Sequence, residues 1–342
     1  MKFGAGQSVK RVEDVRLLTG KGNFTDDLHR DGMAYGVTLR SPYAHAEITR
    51  IDTAAARAIP GVLAVYTHAD IAAYGPVPCL VPLSAPVVTP RILLADDRVR
   101  FVGDAVAFVV AETREAARAG TEAIEVDYRE LPVVASLDAA RADGAPKIWN
   151  DARSNSLFDW AVGDGDKAAA ALAGSAHVTR LRIVQNRVAP TSIEVRAALG
   201  EYDPATEVFT LSTGSQGVAG MRQMLAGPIL KTAPEKVRIV TGDVGGGFGM
   251  KTFIYAEYPL VLHAARDLGR PVKWTGERGD AFQTDTHGRA MVSEAALGLD
   301  ADGLITALAV ETWSDLGAYQ AQYGPAIQTL AGGKIMGGHI SF

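Results

Sequence analysis

The stretch Val244-Gly245-Gly246-Gly247-Phe248-Gly249-Met250-Lys251 places four glycines in eight residues. A strand-like run, 236–240, precedes it. An apolar run, 253–265, follows and predicts a helix. Glycines in a strand-to-helix turn permit positive φ and let the backbone approach another body closely. Successive N–H groups in such a turn form a nest suited to anions. Phe248 is the odd member: a bulky aromatic there covers something or plugs the core. The loop fails two phosphate-binding patterns. Met250 separates Gly249 from Lys251-Thr252, so the Walker spacing is broken. Counting G-x-G-x-x-G from Gly245 puts Met250 where the third glycine belongs. Chemistry alone leaves an anion-binding or cofactor-approach loop and a tight structural turn both open.

Working outward, 342 residues predict two domains with sizeable cores. The net charge of −5 argues against a nucleic-acid surface, which would be basic. No apolar run reaches membrane-spanning length, and the first residues lack the apolar core of a signal peptide, so the expected location is cytoplasmic. With Cys79 the only cysteine, the chain by itself holds neither an internal disulfide nor a Cys-ligated iron–sulfur cluster.

Upstream, the pattern predicts strands at 33–40, 48–51 and 62–67. A short helix at 53–59 is opened by Asp52 and stopped by Pro60-Gly61. Residues 73–90 carry five prolines and predict an irregular surface segment. A buried strand at 106–111, a helix capped by Thr113 and a strand at 124–128 predict a strand–helix–strand unit. Residues 131–150 are expected to be a loosely structured linker. Beyond it come a helix at 166–173, strands at 176–184, 196–202 and 208–212, and a helix at 217–226. Strands at 272–275, 291–299 and 305–313 follow, the last two joined by a hairpin at 300–303. The expected division is 1–150 and 151–342, with no sheet crossing residue 150. The glycine-rich end from Gly332 to Phe342 reads as the middle of a domain.

The order of several motifs carries a resemblance. Gly20-Lys21-Gly22-Asn23-Phe24 and Arg40-Ser41-Pro42-Tyr43-Ala44-His45-Ala46 come first. Val102-Gly103-Asp104-Ala105, Glu125-Val126-Asp127-Tyr128, Pro190 with Glu194, and Gly214-Ser215-Gln216 follow. The glycine loop, Val272-Lys273-Trp274-Thr275 and Asp315-Leu316-Gly317-Ala318-Tyr319 close the series. Over nearly its whole length the chain resembles the large, molybdopterin-binding subunit of the molybdenum hydroxylases. That family includes xanthine dehydrogenase, aldehyde oxidase and aerobic carbon monoxide dehydrogenase.

The resemblance implies an α/β (α+β) fold: a hammerhead α/β domain over 1–150, then the first mixed α/β molybdopterin-binding domain over 151–342. It implies molybdopterin with molybdenum, in the cytosine dinucleotide form, held by Gln216, Gly246, Gly247, Phe248 and Gly249. Gln216 and Phe248 are expected near the metal, with no side chain ligating it. The implied reaction hydroxylates an aldehyde, a heteroaromatic or carbon monoxide with oxygen from water. Electrons leave through an iron–sulfur subunit and an FAD subunit. One cysteine and no dinucleotide fingerprint agree with that division of labour. The assembled complex is expected to dimerise.

The family's chain is longer, so these residues are expected to be its amino-terminal part. The general base and an arginine-bearing loop are expected beyond Phe342, and the isolated chain is expected to be inactive. Purine-oxidising members place a glutamate after the loop lysine; here that position is Thr252. Two other classes stay open: a non-catalytic cofactor-binding or scaffold module, and a nucleotide-binding NTPase resting on the loop alone.

Individual residues have plainer readings. Phe248 is a core plug on its own chemistry, and Gln216 a solvated loop amide. Lys251 is expected at the surface or at a helix start. Glu194 and Arg196 suggest a structural ion pair. The histidines, His45, His263 and His287 among them, show no metal-ligand spacing and are expected to be structural or solvated. Tyr255 and Tyr258 are expected in helix core.

Overall fold

The computed structural model describes residues 6, 8, 10–80, 89–320 and 322–331. Its strands in chain order are β1 (Ala34–Arg40), β2 (Ala46–Asp52), β3 (Val62–Tyr66), β4 (Arg98–Val99), β5 (Ala105–Ala111), β6 (Glu125–Glu130) and β7 (His177–Val188). The series continues with β8 (Ala197–Asp203), β9 (Val208–Thr213), β10 (Val237–Val240), β11 (Val272–Thr275), β12 (Gly288–Leu299) and β13 (Ile305–Ser314). They form a seven-stranded sheet, β10-β9-β8-β11-β1-β5-β3, and two three-stranded sheets, β13-β12-β7 and β4-β2-β6.

The seven-stranded sheet corrects one expectation. It crosses residue 150: β1 pairs in parallel with β11, Ala34 opposite Val272 and Gly36 opposite Trp274. The two halves therefore share a sheet and its core. The physical reason is β5. All seven of its residues are buried, and it reads as a continuous apolar run because both faces are covered. Phe108 and Val110 face the main core, while Ala107, Val109 and Ala111 face a smaller one with Ala117 and Ile124. Its strand partners, β1 and β3, come from the first half, while its main-core face shares a core with second-half residues such as Tyr258 and Leu260.

The strand–helix–strand succession is present, but its strands lie in different sheets. Thr113 does cap the Arg114–Glu122 helix, accepting from the Ala116 N–H at 3.1 Å. But β5 lies in the seven-stranded sheet and β6 pairs with β2 in another, so the helix carries the chain between sheets. Residues 131–150 are not loose throughout. Ser136 caps a short Leu137–Arg141 helix. Trp149 donates from Nε1 to the Ala318 carbonyl at 2.8 Å, under the Arg100 guanidinium at 4.0 Å. Composition hid this anchor because its partner is 169 residues away.

The Glu257–Leu268 helix is the central body, with Tyr258, Leu260, Val261, Leu262 and Ala264 wholly buried. It packs on β8 so closely that a Cβ at Gly200 would lie 2.6 Å from the Val261 carbonyl. Buried Tyr255 precedes it, and both tyrosines are core as expected. The helices Asp14–Leu18 and Arg278–Thr284 were not foreseen. The Asp300–Gly303 turn joins β12 to β13 as predicted, Gly303 at φ 83°. Part of the proline-rich segment (81–88) and the stretch 332–342 lie outside the described residues. Among the described residues no helix is long and apolar enough to cross a membrane.

Candidate functional site

β9 and β10 are parallel neighbours, Val237 opposite Phe209 through Val240 opposite Ser212. Their C-terminal loops must therefore emerge side by side. This is the position at which open α/β sheets offer a crevice to ligands. The loop after β9 is Gly214-Ser215-Gln216, and the loop after β10 runs from Thr241 to Lys251.

The approach to the glycines is stapled first. Asn23 donates its N–H to Asp243 Oδ2 at 2.7 Å and accepts the Asp243 N–H at 3.0 Å. Arg16 holds both Asp243 oxygens, at 2.5 and 2.6 Å. These bonds, Arg16's first and then Asn23's, pull the Asp243 carboxyl down to about 2. The early Gly20–Phe24 motif thus serves the glycine loop from 220 residues away.

The loop itself has two anchors. At its leading end the Gly245 N–H donates to Glu194 Oε2 at 2.7 Å, and the Glu194 N–H returns a bond to the Gly245 carbonyl at 3.1 Å. At its trailing end the Gly249 N–H donates to Gln216 Oε1 at 2.9 Å. Contact is close at both. A Cβ at Gly245 would lie 2.5 Å from the Glu194 Cβ, and one at Gly247 would lie 2.5 Å from the Gln216 amide. Among the described residues, the N–H groups of Gly246, Gly247 and Phe248, between the anchors, take no partner from the chain.

Phe248 is 73% exposed and sits at φ 49°. The core-plug reading is overturned. A bulky residue in the left-handed region is rare and strained, and such strain collects where function requires it. Gly246 and Gly249, at φ 100° and 92°, supply the turns that lift Phe248 out.

One further expectation changes. Lys251 is not at the surface: it is 1% exposed and its ammonium meets Glu194 Oε2 at 2.6 Å. A buried ammonium needs a counter-charge, and Glu194 is the carboxylate within reach. Gln216 is exposed, as its plainer reading expected, yet its Oε1 accepts from Gly249 and its backbone N–H donates to the Lys251 carbonyl at 3.2 Å. Glu194 and Arg196 both form ion pairs, but with separate partners.

Arg196 belongs to a buried network beneath the site. It meets Glu257 Oε2 at 2.9 Å and Asp285 Oδ1 at 2.6 Å, with Thr284 Oγ1 at 2.7 Å. Its guanidinium lies 3.7 Å from the centre of the Tyr255 ring. Arg40, from the first half, meets Glu257 Oε1 at 2.7 Å and Asp280 at 2.5 Å. Burial alone would raise Glu257, but the charges of Arg196 and Arg40 outweigh it and hold the carboxyl well below its usual range.

The five residues predicted for cofactor contact, Gln216, Gly246, Gly247, Phe248 and Gly249, are brought together. Sequence reading missed Asn23, Arg16 and Asp243, and the two-sided use of Glu194. The available signal was an acid and an asparagine in glycine-flanked turns, which suit close backbone contact. Among the described residues there is no group of three or more His, Cys, Asp or Glu that could hold a metal ion. A cavity of about 630 Å³ lies elsewhere, over the β7–β12–β13 sheet, and none of its lining residues belongs to the loop. What the loop offers is a shallow cradle: free N–H donors, no Cβ in the way, and one aromatic face. That fits an anionic, oxygen-rich group lying flat against backbone.

Residues 148–339 match the family described as molybdopterin cofactor-binding domain. Residues 19–132 match the a/b hammerhead domain of aldehyde oxidase and xanthine dehydrogenase. The carbon monoxide dehydrogenase large chain of Afipia carboxidovorans is 33% identical over 336 residues, covering 94% of this chain and 41% of that one. The nicotine 6-hydroxylase large subunit of Paenarthrobacter nicotinovorans is 32% identical over 318 residues, covering 92% and 38%. Among solved structures, quinoline 2-oxidoreductase from Pseudomonas putida 86 superposes with a TM-score of 0.84 at 36% identity, over 92% of this chain and 40% of that one. The chain spans about 40% of the length of the curated relatives it matches first.

Proposed function

The chain belongs to the molybdopterin cofactor-binding domain family, preceded by a hammerhead segment, and on that premise we propose that its glycine loop cradles a molybdenum-bearing molybdopterin in an oxidoreductase. The observation that carries this reading is the row of three unpaired N–H groups, Gly246 to Phe248, held between Glu194 and Gln216 at the ends of two parallel strands.

The residues would act as follows. The Gly246 and Gly247 N–H groups donate to oxygen atoms of the cofactor. Gln216, its Oε1 already fixed by Gly249, has its Nε2 donors left to give. Phe248 supplies an apolar wall that orients substrate and keeps water from one side. When bound, the cofactor supplies two-electron oxidation of carbon with oxygen drawn from water. We propose its cytosine dinucleotide form. Iron–sulfur and FAD subunits take the electrons, a further part of the large subunit closes the site, and the assembled complex is a dimer in the cytoplasm.

The substrate is an aldehyde, a heteroaromatic or carbon monoxide. Relatives named for carbon monoxide, nicotine, quinoline and aldehyde span that range. Thr252 offers no carboxylate to a purine. The carboxylates bonded to the loop and its approach, Glu194 and Asp243, are both engaged by cations. We propose that the general base comes from outside the described residues. The same fact favours a second reading, in which this chain alone is a cofactor-holding module without chemistry of its own.

Metal and nucleotide analysis separates the classes. Molybdenum and a pterin co-purifying with the chain and its partners, with dye reduction by an aldehyde, a heteroaromatic or carbon monoxide, is the expected result. Molybdenum without turnover in the full assembly would leave the module. Bound nucleoside triphosphate without molybdenum would overturn both.

A further inference from the structure

Three unpaired N–H groups and a left-handed phenylalanine do not hold themselves in place, since a glycine-rich loop has many cheaper conformations. We propose that Glu194 is the positioning residue of this loop. Its carboxylate fixes the leading end through the Gly245 N–H, and buried Lys251 holds that carboxylate still.

One oxygen, Oε2, takes both bonds, from Gly245 at 2.7 Å and from Lys251 Nζ at 2.6 Å. The Glu194 N–H closes a second bond to the Gly245 carbonyl, and Ser192 Oγ donates to the Glu194 carbonyl at 2.8 Å, so main chain and side chain clamp together. Gly214 covers the pair: a Cβ there would stand 3.5 Å from Oε2 and 3.6 Å from Nζ. Lys251 joins the two ends of the loop. Its ammonium meets Glu194 at the leading anchor, and its carbonyl accepts the N–H of Gln216, which holds the trailing anchor. Five residues are thus suspended from one buried lysine and its two neighbours. Charge-assisted bonds to backbone N–H groups are the strong kind, suited to holding a strained loop. The geometric part of this inference stands by itself; its catalytic consequence rests on the cofactor reading above.

The rival is a mere counter-ion role, in which Glu194 only neutralises Lys251. Two double variants of the full chain divide the readings. Both remove the charge pair, and replacing both partners avoids a stranded buried charge. E194Q/K251M keeps a neutral acceptor for the Gly245 N–H, while E194L/K251M removes it. Amide hydrogen exchange is read at Gly245, Gly249 and Met250, with kcat and KM in the cofactor-loaded complex. Positioning predicts exchange faster by about tenfold or more in E194L/K251M and within about threefold of wild type in E194Q/K251M. It also predicts a lower kcat at little changed KM in the leucine variant. Equal exchange in the two doubles would overturn the proposal. Should the leucine variant not fold, E194D serves. It keeps the charge and shortens the reach, so faster Gly245 exchange supports positioning, and wild-type exchange with wild-type kcat overturns it. Doubles separated by exchange, with no molybdenum in any protein including wild type, support positioning and overturn the cofactor reading instead.

Discussion

The glycine loop and the Arg196 network meet in the chain at Glu194 and Arg196 and treat polar groups in opposite ways. In the network every charge is paired, and Arg196, Glu257 and Asp285 are buried: Arg196 meets Glu257 and Asp285, Arg40 meets Glu257 and Asp280. In the loop three N–H donors take no partner among the described residues and an aromatic is left facing out. The difference shows what preorganisation requires. Donors can wait for a ligand only if the backbone beneath them cannot relax to satisfy them, and the buried charges supply that rigidity. The network also joins the halves of the chain, because Arg40 and Arg196 grip the two oxygens of one carboxylate.

The comparison breaks most visibly at Arg196. Arg196→Met strands Asp285 in the core, leaves Glu257 with Arg40 alone, and should cost about 3–5 kcal/mol of stability, read by urea unfolding. A loss below about 1 kcal/mol would mean that the network is not the foundation described.

Phe248→Ala should do the reverse. At 73% exposure it removes little packing, so unfolding should shift by no more than about 0.5 kcal/mol. Turnover of the cofactor-loaded complex should fall about 100-fold, as expected when a positioning wall is lost. A variant that melts early yet turns over normally would return Phe248 to the core.

Acid sharpens the contrast. Asp243 is held at about 2, against an ordinary value of 3.8. A depressed carboxylate contributes stability that is present above its unfolded pKa and is lost as pH falls through the folded value. Wild type should therefore lose this contribution between about pH 4 and pH 2. Asp243→Asn should be less stable at neutral pH and converge on wild type across that window. Glu257, also depressed, carries the same sign, so the network too weakens only on acidification. Parallel curves for Asp243→Asn and wild type down to pH 2 would count against the staple.

The smallest effect tests strain alone. At φ 49° glycine suffers no Cβ penalty, so Phe248→Gly should be more stable than Phe248→Ala by about 1 kcal/mol in thermal unfolding. The opposite order would mean that Phe248 is unstrained.

Much of this was legible before any coordinates. Strands β8 to β13 follow their hydrophobic patterns, and the Thr113 cap, the Asp52 opening and the 300–303 turn carry local chemistry that a sequence displays. The loop stood out because glycines at that density have few other uses. What stayed hidden depends on distant partners. Lys251 looks like any surface lysine until Glu194, 57 positions earlier, is placed beside it. Trp149 looks like part of a linker until Ala318 takes its N–H. The sheet shared across residue 150 was missed because β1 and β11 are each ordinary strands. β5 takes both its strand partners from the first half, so the join rests on β1 pairing with β11. Phe248 divides the two kinds of reading: aromatic chemistry alone predicts burial, and a left-handed φ that lifts the ring out is invisible in composition.

The central claim is that the loop is a rigid cradle whose glycines keep a cofactor's place clear. Gly247→Ala tests it most directly, because the added Cβ would lie 2.5 Å from the Gln216 amide and must displace it. The measurement is molybdenum content of the variant and the wild type, purified alike with their partners. The account predicts stoichiometric molybdenum in wild type and loss of most of it in Gly247→Ala, with the unfolding midpoint little changed. Equal molybdenum in both proteins would contradict it.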